Sequence, residues 1–201
     1  MSDGNPWSIR SSNKRYEDGW ISVVEHEVED ASGREGVYAV VHFRKVGVRM
    51  LPIDDDGHVL LVGQYRFAAG YDSWELPAGG REKGEAPQAS AARELAEEVG
   101  LAARHWLRLP HLIPSGAICD ERQELYLAWG LSPAAREADP QEVLRVKRLP
   151  FRELLDMVLC GEISDAGTVA AVLACHVRAG RGELPEEVAR HLRVQAPEGR
   201  P

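Results

Sequence analysis

Three glutamates are spaced so that an α-helix would bring their carboxylates to one side within about one turn. They are Glu94, Glu97 and Glu98, at positions i, i+3 and i+4. Like charges at this spacing destabilise a helix, whereas hard divalent cations prefer oxygen ligands and keep converging carboxylates ionised. The spacing therefore predicts a divalent-metal site, and a solvated acidic face is the alternative interpretation.

The residues around these glutamates favour the metal site. The glycine-rich segment Ala78-Gly79-Gly80 comes shortly before them, and Arg93 lies inside the acidic run as a partner for Glu85. We predict a helix over residues 86–99, because its apolar positions recur every three or four residues and Gly100 can end it.

The remaining elements are predicted from hydrophobic periodicity and turn residues. Two hairpins are expected over residues 20–43 and 47–65, with polar turns at 30–36 and 54–57. Further strands are expected at residues 74–77, 105–109, 124–129 and 143–149, and further helices at 151–160 and 168–177. Strands with a few interspersed helices predict a mixed α/β fold.

Composition narrows the function classes. The chain has 201 residues and a net charge of −8, from 24 Lys and Arg against 32 Asp and Glu. This acidic balance argues against a protein that tracks nucleic-acid phosphates. The three cysteines have no metal-ligand spacing, and neither a signal peptide nor a membrane span is visible. We therefore expect a cytoplasmic protein that contacts neither nucleic acid nor membrane.

One longer pattern contains all of these groups. It consists of Gly79, five residues, Glu85, seven residues, and then Arg-Glu-Leu-Ala-Glu-Glu-Val-Gly-Leu over residues 93–101. The pattern resembles the Nudix box at every defining position. The resemblance implies a Nudix-type α/β/α sandwich with a mixed sheet, plus an N-terminal β hairpin.

The resemblance also implies a role for each carboxylate of the box. Glu94 and Glu98 are the expected principal Mg²⁺ ligands, with Mn²⁺ as an alternative ion. The carbonyl of Ala78 is expected to be a further ligand. Glu97 is expected to share a metal or to act in the surrounding shell, and Glu97 and Glu98 are both candidate catalytic residues.

The other box positions are expected to be structural. By the same resemblance, Glu85 and Arg93 form an ion pair that ties the loop to the helix. Gly79 and Gly100 are expected to mark positions where backbone elements begin or end. The implied chemistry is attack by a metal-activated water on one phosphorus of a diphosphate.

Segments before and after the box narrow the resemblance. Residues 64–66 and 74–79 are similar to the branch that hydrolyses ADP-ribose and related nucleoside diphosphate sugars. This similarity makes Arg66 a candidate for binding the diphosphate and Glu75 a second substrate-binding candidate. The alternative for Arg66 is a surface ion pair with Glu75. Residues 163–166 are also similar to this branch and are predicted to cap the following helix.

Two acidic loops offer a candidate general base. The loop at residues 115–121 departs from the Ser-Pro-Gly form typical of ADP-ribose hydrolases and is closer to enzymes with looser sugar specificity. Its Glu121 is a candidate metal ligand or base. In the loop at residues 137–142, the corresponding candidate is Glu142, and a solvated loop is the alternative interpretation there.

We predict three parts in the chain: an N-terminal β segment over residues 1–45, a Nudix hydrolase domain over 46–180 and a C-terminal tail over 181–201. By resemblance, the N-terminal segment exchanges between two subunits of a homodimer and helps to build the nucleotide pocket. Trp7, Tyr16 and Trp20 are candidates for stacking on the base, although packed apolar surface is the commoner role of such residues.

The resulting hypothesis is Mg²⁺-dependent hydrolysis of ADP-ribose or a related nucleoside diphosphate sugar to a nucleoside monophosphate and a sugar phosphate. One alternative keeps the chemistry and changes the substrate to a GDP-sugar, a dinucleoside polyphosphate or an oxidised nucleotide. The other is a non-catalytic Nudix domain that senses ADP-ribose or NAD. Three intact carboxylates argue against a sensor, because binding alone does not require all of them.

Overall fold

The structure is a computed structural model that describes residues 4–135 and 144–194. Its strands are β1 (Ser8–Glu17), β2 (Ile21–Glu29), β3 (Glu35–Phe43), β4 (Gly47–Pro52), β5 (His58–Arg66), β6 (Tyr71–Glu75), β7 (Ala78–Gly80), β8 (Leu101–Arg108), β9 (Gln123–Pro133) and β10 (Arg145–Pro150). Its helices are α1 (Pro87–Val99), α2 (Phe151–Leu159), α3 (Ala166–Gly180) and α4 (Glu186–Leu192). The chain divides into a first unit, residues up to 46 with 113–122, and a second unit, residues 47–112 with those from 123 onward.

The first unit is an antiparallel sheet in the order β1-β2-β3. The predicted hairpin over residues 20–43 is confirmed as β2 and β3, whose turn is held by the Asp30 carboxylate accepting from the backbone N–H groups of Ser32 and Arg34. Strand β1 was not predicted, because its sequence is polar and it is exposed almost throughout. The segment 113–122 runs beside β3, where the Tyr38 hydroxyl donates to the Ala117 carbonyl at 2.5 Å.

The second unit contains two sheets and the four helices. One sheet has the order β7-β4-β9-β8, in which β4 and β9 are parallel and the other pairs antiparallel, and the other sheet is antiparallel with the order β10-β5-β6. Apolar side chains from β4, β5, β9 and the helices form its core, with Leu51, Leu61, Leu127 and Leu154 fully buried. The predicted mixed α/β class is confirmed.

The predicted hairpin over residues 47–65 is wrong. Its turn exists, with Gly57 at φ 80°, but β4 and β5 belong to different sheets and meet only in the bridge between Ile53 and Val59. The reason is that β4 is buried along most of its length, so it lies at the centre of a sheet between β7 and β9. If β4 paired with β5 instead, β5 would have to displace either β7 or β9 from the edge of β4.

The stretch predicted as a C-terminal tail contains helix α4. Val188, Ala189 and Leu192 of this helix are buried in the core of the second unit. Leu184, Val188 and Leu192 are spaced by four, a helical period hidden among many charged residues. The second unit therefore continues past residue 180, while residues 195–201 lie outside the described residues. Among the helices described, none is long and apolar enough to cross a membrane.

Candidate active site

Helix α1 has the ends that its sequence predicts. Pro87 occupies the first turn, where a missing backbone N–H costs nothing. Gly100 ends the helix in the left-handed conformation with φ 70°, and its N–H bonds back to the Ala96 carbonyl. A glycine is needed there because this backbone conformation is strained for other residues. Because the helix runs from Pro87 to Val99, the three glutamates at 94, 97 and 98 lie in its C-terminal half.

Arg93 connects the glycine-rich strand, the loop and the acidic face of α1. Its guanidinium contacts the Glu85 carboxylate at 3.2 and 3.3 Å and donates to the Gly80 carbonyl at 3.1 Å. Its Nη1 also lies 2.9 Å from Glu94 Oε1 and 2.8 Å from Glu97 Oε2. The predicted ion pair between Glu85 and Arg93 is present, and the same arginine also supports two glutamates of the box.

These contacts change the ionisation of the pair. The Arg93 hydrogen bond is the largest cause that lowers the pKa of Glu85, to about 2, and the Glu82 backbone N–H adds to it. Burial acts to lower the pKa of Arg93, but the hydrogen bond with Glu85 and the charges of Glu94 and Glu97 raise it overall. Both groups are therefore charged at neutral pH, and the loop stays tied to the helix.

Two of the three helix glutamates, Glu94 and Glu98, lie against β7. The Glu98 side chain is buried, and its Oε2 accepts a hydrogen bond from the backbone N–H of Ala78 at 2.9 Å. The Glu94 carboxyl group packs so closely on Gly79 that a Cβ at this position would overlap it. The Ala78 backbone, Glu94 and Glu98 therefore lie around the short strand β7.

This donor set suits a hard divalent cation. Carboxylates and a backbone carbonyl are the oxygen ligands that Mg²⁺ and Mn²⁺ prefer. A carboxylate as buried as Glu98 is costly to keep ionised without positive charge nearby, and the Glu94 carboxyl group lies directly against Gly79. The residues present therefore fit a metal ion held by Glu94, Glu98 and the Ala78 carbonyl.

Arg66 and Glu75 form a two-pronged ion pair. Arg66 Nε donates to Glu75 Oε1 at 2.7 Å and Arg66 Nη2 to Glu75 Oε2 at 2.6 Å. The alternative contact considered for Arg66 is thus present, but Glu75 is buried rather than at the surface, with 2% of it exposed. The Arg66 side chain is 41% exposed, and its hydrogen bond to Glu75 is the largest cause that raises its pKa, with the charges of Glu75, Asp165 and Glu98 adding to the rise.

Glu75 remains ionised despite its burial. Desolvation acts to raise its pKa, but the hydrogen bond from Arg66 and the charges of Arg49 and Arg66 lower it overall. Arg49 is a buried arginine on β4 that sequence reasoning missed, and it also pairs with Asp165 at 2.9 Å. As predicted, Asp165 caps a helix: its carboxylate accepts from the Thr168 N–H at the start of α3.

A local signal for Arg49 does exist in the sequence. It is the one charged residue in the otherwise apolar run of β4, and a charge in a buried strand requires a partner. The identity of that partner is not local, since Asp165 lies 116 positions further along the chain.

The candidate bases are not brought to the box within one unit. Glu121 belongs to the segment 113–122 of the first unit, whereas the box lies in the second. Glu142 lies outside the described residues. Their roles stay predictions.

A second acidic group lies at the turn between β4 and β5. The ligand atoms of Asp54, Asp56 and His58 lie within 4.8 Å of one another. Arg148 pairs with both aspartates, at 2.7 and 3.2 Å, and Asp54 Oδ1 also accepts from the backbone N–H groups of Asp56 and His58. These contacts account for the group as a turn that Arg148 ties to β10.

The chain is similar to known Nudix proteins. The NUDIX domain family model matches residues 43–171. An ADP-ribose pyrophosphatase of Mycobacterium tuberculosis (strain ATCC 25618 / H37Rv) is 41% identical over 140 residues, which are 68% of this chain and 67% of that protein. An ADP-ribose pyrophosphatase of Bacillus subtilis (strain 168) is 31% identical over 154 residues, 76% of this chain and 83% of that protein.

A solved structure agrees on the fold. A crystal structure of an ADP compounds hydrolase superposes with a TM-score of 0.81 at 22% identity, covering 92% of this chain and all of that one. The Nudix-type fold is therefore confirmed. The chain belongs to the NUDIX family and is a Nudix pyrophosphohydrolase.

Proposed function

We propose that this protein hydrolyses the diphosphate of ADP-ribose, or of a related nucleoside diphosphate sugar, to a nucleoside monophosphate and a sugar phosphate in a Mg²⁺-dependent reaction. The observation that carries the proposal is that Glu94 and Glu98 pack against β7, while Arg93 contacts Glu85, Glu94 and Glu97. The two ADP-ribose pyrophosphatases among its relatives favour ADP-ribose as the substrate.

Glu94, Glu98 and the Ala78 carbonyl would hold the ion, and Glu97 would assist from its contact with Arg93. A bound Mg²⁺ supplies activation of the attacking water and neutralisation of the leaving phosphate. The remaining work falls to the protein. Arg93 keeps the carboxylates oriented, and Gly79 lets Glu94 lie directly on β7.

Arg66 would bind the diphosphate. Its Nε and Nη2 are engaged by Glu75, whereas its Nη1 makes no hydrogen bond with any of the described residues. A guanidinium held in this way offers its outer edge to phosphate oxygens in a fixed orientation. In this proposal Glu75 contributes to substrate binding by orienting Arg66. Glu121 and Glu142 remain the two proposed bases.

A homodimer is the proposed assembly. Several large apolar side chains of the first unit are exposed in the single chain: Ile9, Tyr16, Trp20, Val37, Phe43 and Ile118. A three-stranded sheet with so much apolar surface in water gains stability when a second copy covers it. The three cysteines are free thiols, which agrees with the proposed cytoplasmic location.

A nucleotide panel tests the function. ADP-ribose, ADP-glucose, GDP-mannose, UDP-glucose and diadenosine polyphosphates are each incubated with Mg²⁺ and with EDTA, and the products are separated. We expect nucleoside monophosphate and sugar phosphate to form in the presence of Mg²⁺ but not in EDTA, and to form fastest from ADP-ribose. A faster GDP-sugar or dinucleoside polyphosphate would change the substrate and keep the chemistry. A melting temperature raised by ADP-ribose without turnover of the panel would replace the proposal with a sensor.

A further inference from the structure

Arg49 is a charged residue in the middle of a buried strand. Its side chain is 6% exposed, and it belongs to β4, between β7 and β9. Burying a guanidinium is costly unless carboxylates and further hydrogen bonds compensate for the lost hydration. Its partners should therefore reveal what it holds in place.

The partners of Arg49 come from two sides. On the side of α3, it pairs with Asp165 at 2.9 Å and donates to the Thr168 hydroxyl at 3.1 Å. A Cβ at Gly167 would overlap Arg49 Nε, so the first turn of α3 packs directly on the guanidinium. These contacts fix the orientation of Arg49 independently of the substrate-binding candidates.

On the other side, Arg49 reaches the segment that leads into β7. It donates to the Leu76 carbonyl at 3.1 Å, and both of its terminal nitrogens lie 3.4 Å from Glu75 Oε2. This is the carboxylate that holds Arg66 by two hydrogen bonds. Glu75 is thus held between two guanidinium groups, one buried and one facing outward.

We propose that Arg49 is a positioning residue, which fixes Glu75 so that Glu75 presents the outer edge of Arg66 to the diphosphate of the substrate. The inference rests on the proposed function, because it assigns the same ligand to Arg66. Arg49 itself does not touch the substrate. Its effect on the reaction passes through Glu75 and Arg66.

A double-mutant cycle tests this transmission. Arg49→Met, Arg66→Met and the double variant are assayed with the fastest nucleotide of the panel. We expect Arg66→Met to raise KM about tenfold or more and Arg49→Met to raise it about fivefold with kcat nearly unchanged, because both weaken binding of the ground state and the transition state alike. In the Arg66→Met background, Arg49→Met should change KM by less than about 1.5-fold, because coupled residues are non-additive.

A purely structural role for Arg49 predicts a different result. It would give the same fold-change in KM in both backgrounds, or a loss confined to kcat, and either outcome overturns the proposal. Arg49→Lys is the second variant if Arg49→Met fails to fold, with folding checked by thermal unfolding. A lysine keeps the charge without the planar fork, so we expect a KM between those of the wild type and Arg49→Met.

Binding of inorganic diphosphate in EDTA separates this inference from the proposed function. Calorimetric titration should show about fivefold weaker binding to Arg49→Met than to the wild type, and equal binding to Arg66→Met and the double variant. If this difference appears while the nucleotide panel fails, the proposed function alone is wrong. Equal affinities of wild type and Arg49→Met, or no binding to the wild type, overturn the positioning role.

Discussion

Charged residues form pairs in both units of the molecule, but the pairs around the box are less exposed than those of the first sheet. In the first unit the Arg10, Lys14 and Arg15 side chains are 50–58% exposed while paired with glutamates. Ion pairs of this kind contribute little to stability, because water competes for both partners. They therefore hold their carboxylates only weakly.

In the second unit the charged residues around the box are shielded, although pairs elsewhere in that unit, such as Arg145–Asp72, are as exposed as those of the first unit. Arg93 contacts three carboxylates while 32% exposed, and the Glu98 and Glu75 side chains are buried. The first unit also exposes apolar residues, with Trp20 at 73% and Val37 at 67% exposure. The proposed metal and diphosphate site therefore uses shielded charges of the second unit, whereas the proposed dimer would cover exposed apolar residues of the first.

The variant with the largest expected effect on turnover is Glu98→Gln. The amide oxygen can still accept the hydrogen bond from the Ala78 N–H, so we expect the fold to survive while the metal ligand loses its charge. Turnover should fall on the order of 10³-fold, because a metal ion supplies several kcal/mol of transition-state stabilisation. The measurement is steady-state turnover of the fastest nucleotide at saturating Mg²⁺.

Glu153→Gln is the matched control, since Glu153 is an exposed glutamate on α2. It should retain wild-type turnover. Near-normal activity in Glu98→Gln, with circular dichroism unchanged, would contradict the assignment of Glu98 to the metal.

Gly79→Ala tests the close packing of the box without changing any charge. The added methyl group overlaps the Glu94 carboxyl, so this group must move. We expect turnover to fall by roughly 10- to 100-fold, because a displacement of about 1 Å at a reacting centre costs this much. Gly180→Ala is the control, because nothing lies within 4 Å of a Cβ there. Equal turnover in the two variants would contradict a role for the Glu94 position.

Local spacing made the box predictable. Residues 79–101 contain the glycine, the carboxylates and the helix ends within a few turns of chain, so the pattern alone indicates which groups converge. The Glu85–Arg93 pair and the helix stop at Gly100 follow from the same short range.

Contacts between distant elements were not predictable in this way. The partners of Arg49 come from β6 and α3, and no periodicity relates those segments. The pairing of β4 with β9 and β7 likewise depends on which strand is central, so the Asp-Gly turn at 54–57 suggested a hairpin that does not form. Helix α4 was missed because it is only seven residues long and has as many charged residues as apolar ones.

Val37→Lys tests whether a second copy of the chain covers the exposed apolar surface of the first unit. The side chain is 67% exposed on β3, so a lysine should leave the isolated unit folded. If a second copy covers this surface, burying the ammonium should weaken the dimer at least about tenfold, because an unpaired charge at an interface is costly. Sedimentation equilibrium measures the dissociation constant. Val146→Lys is the control on β10, where Val146 is 43% exposed; equal constants for both variants would place the interface elsewhere.

The smallest expected effect is the pH dependence due to Glu85. Its pKa is lowered to about 2 by Arg93, below the usual value of 4.5, so the folded protein binds this proton less readily than the unfolded chain. The pair therefore stabilises the protein fully above about pH 4.5, and this contribution is lost as the pH falls towards 2. Glu85→Gln removes it, so the difference in free energy of unfolding between wild type and variant should shrink between pH 5 and pH 3. Urea unfolding at both pH values measures it, and Glu82→Gln serves as the neighbouring control, since Glu82 is an exposed glutamate of the same loop. A difference that stays constant over this interval would mean that Arg93 does not hold Glu85 in its charged form, and the loop of the box would then be no more firmly tied than the surface pairs of the first unit.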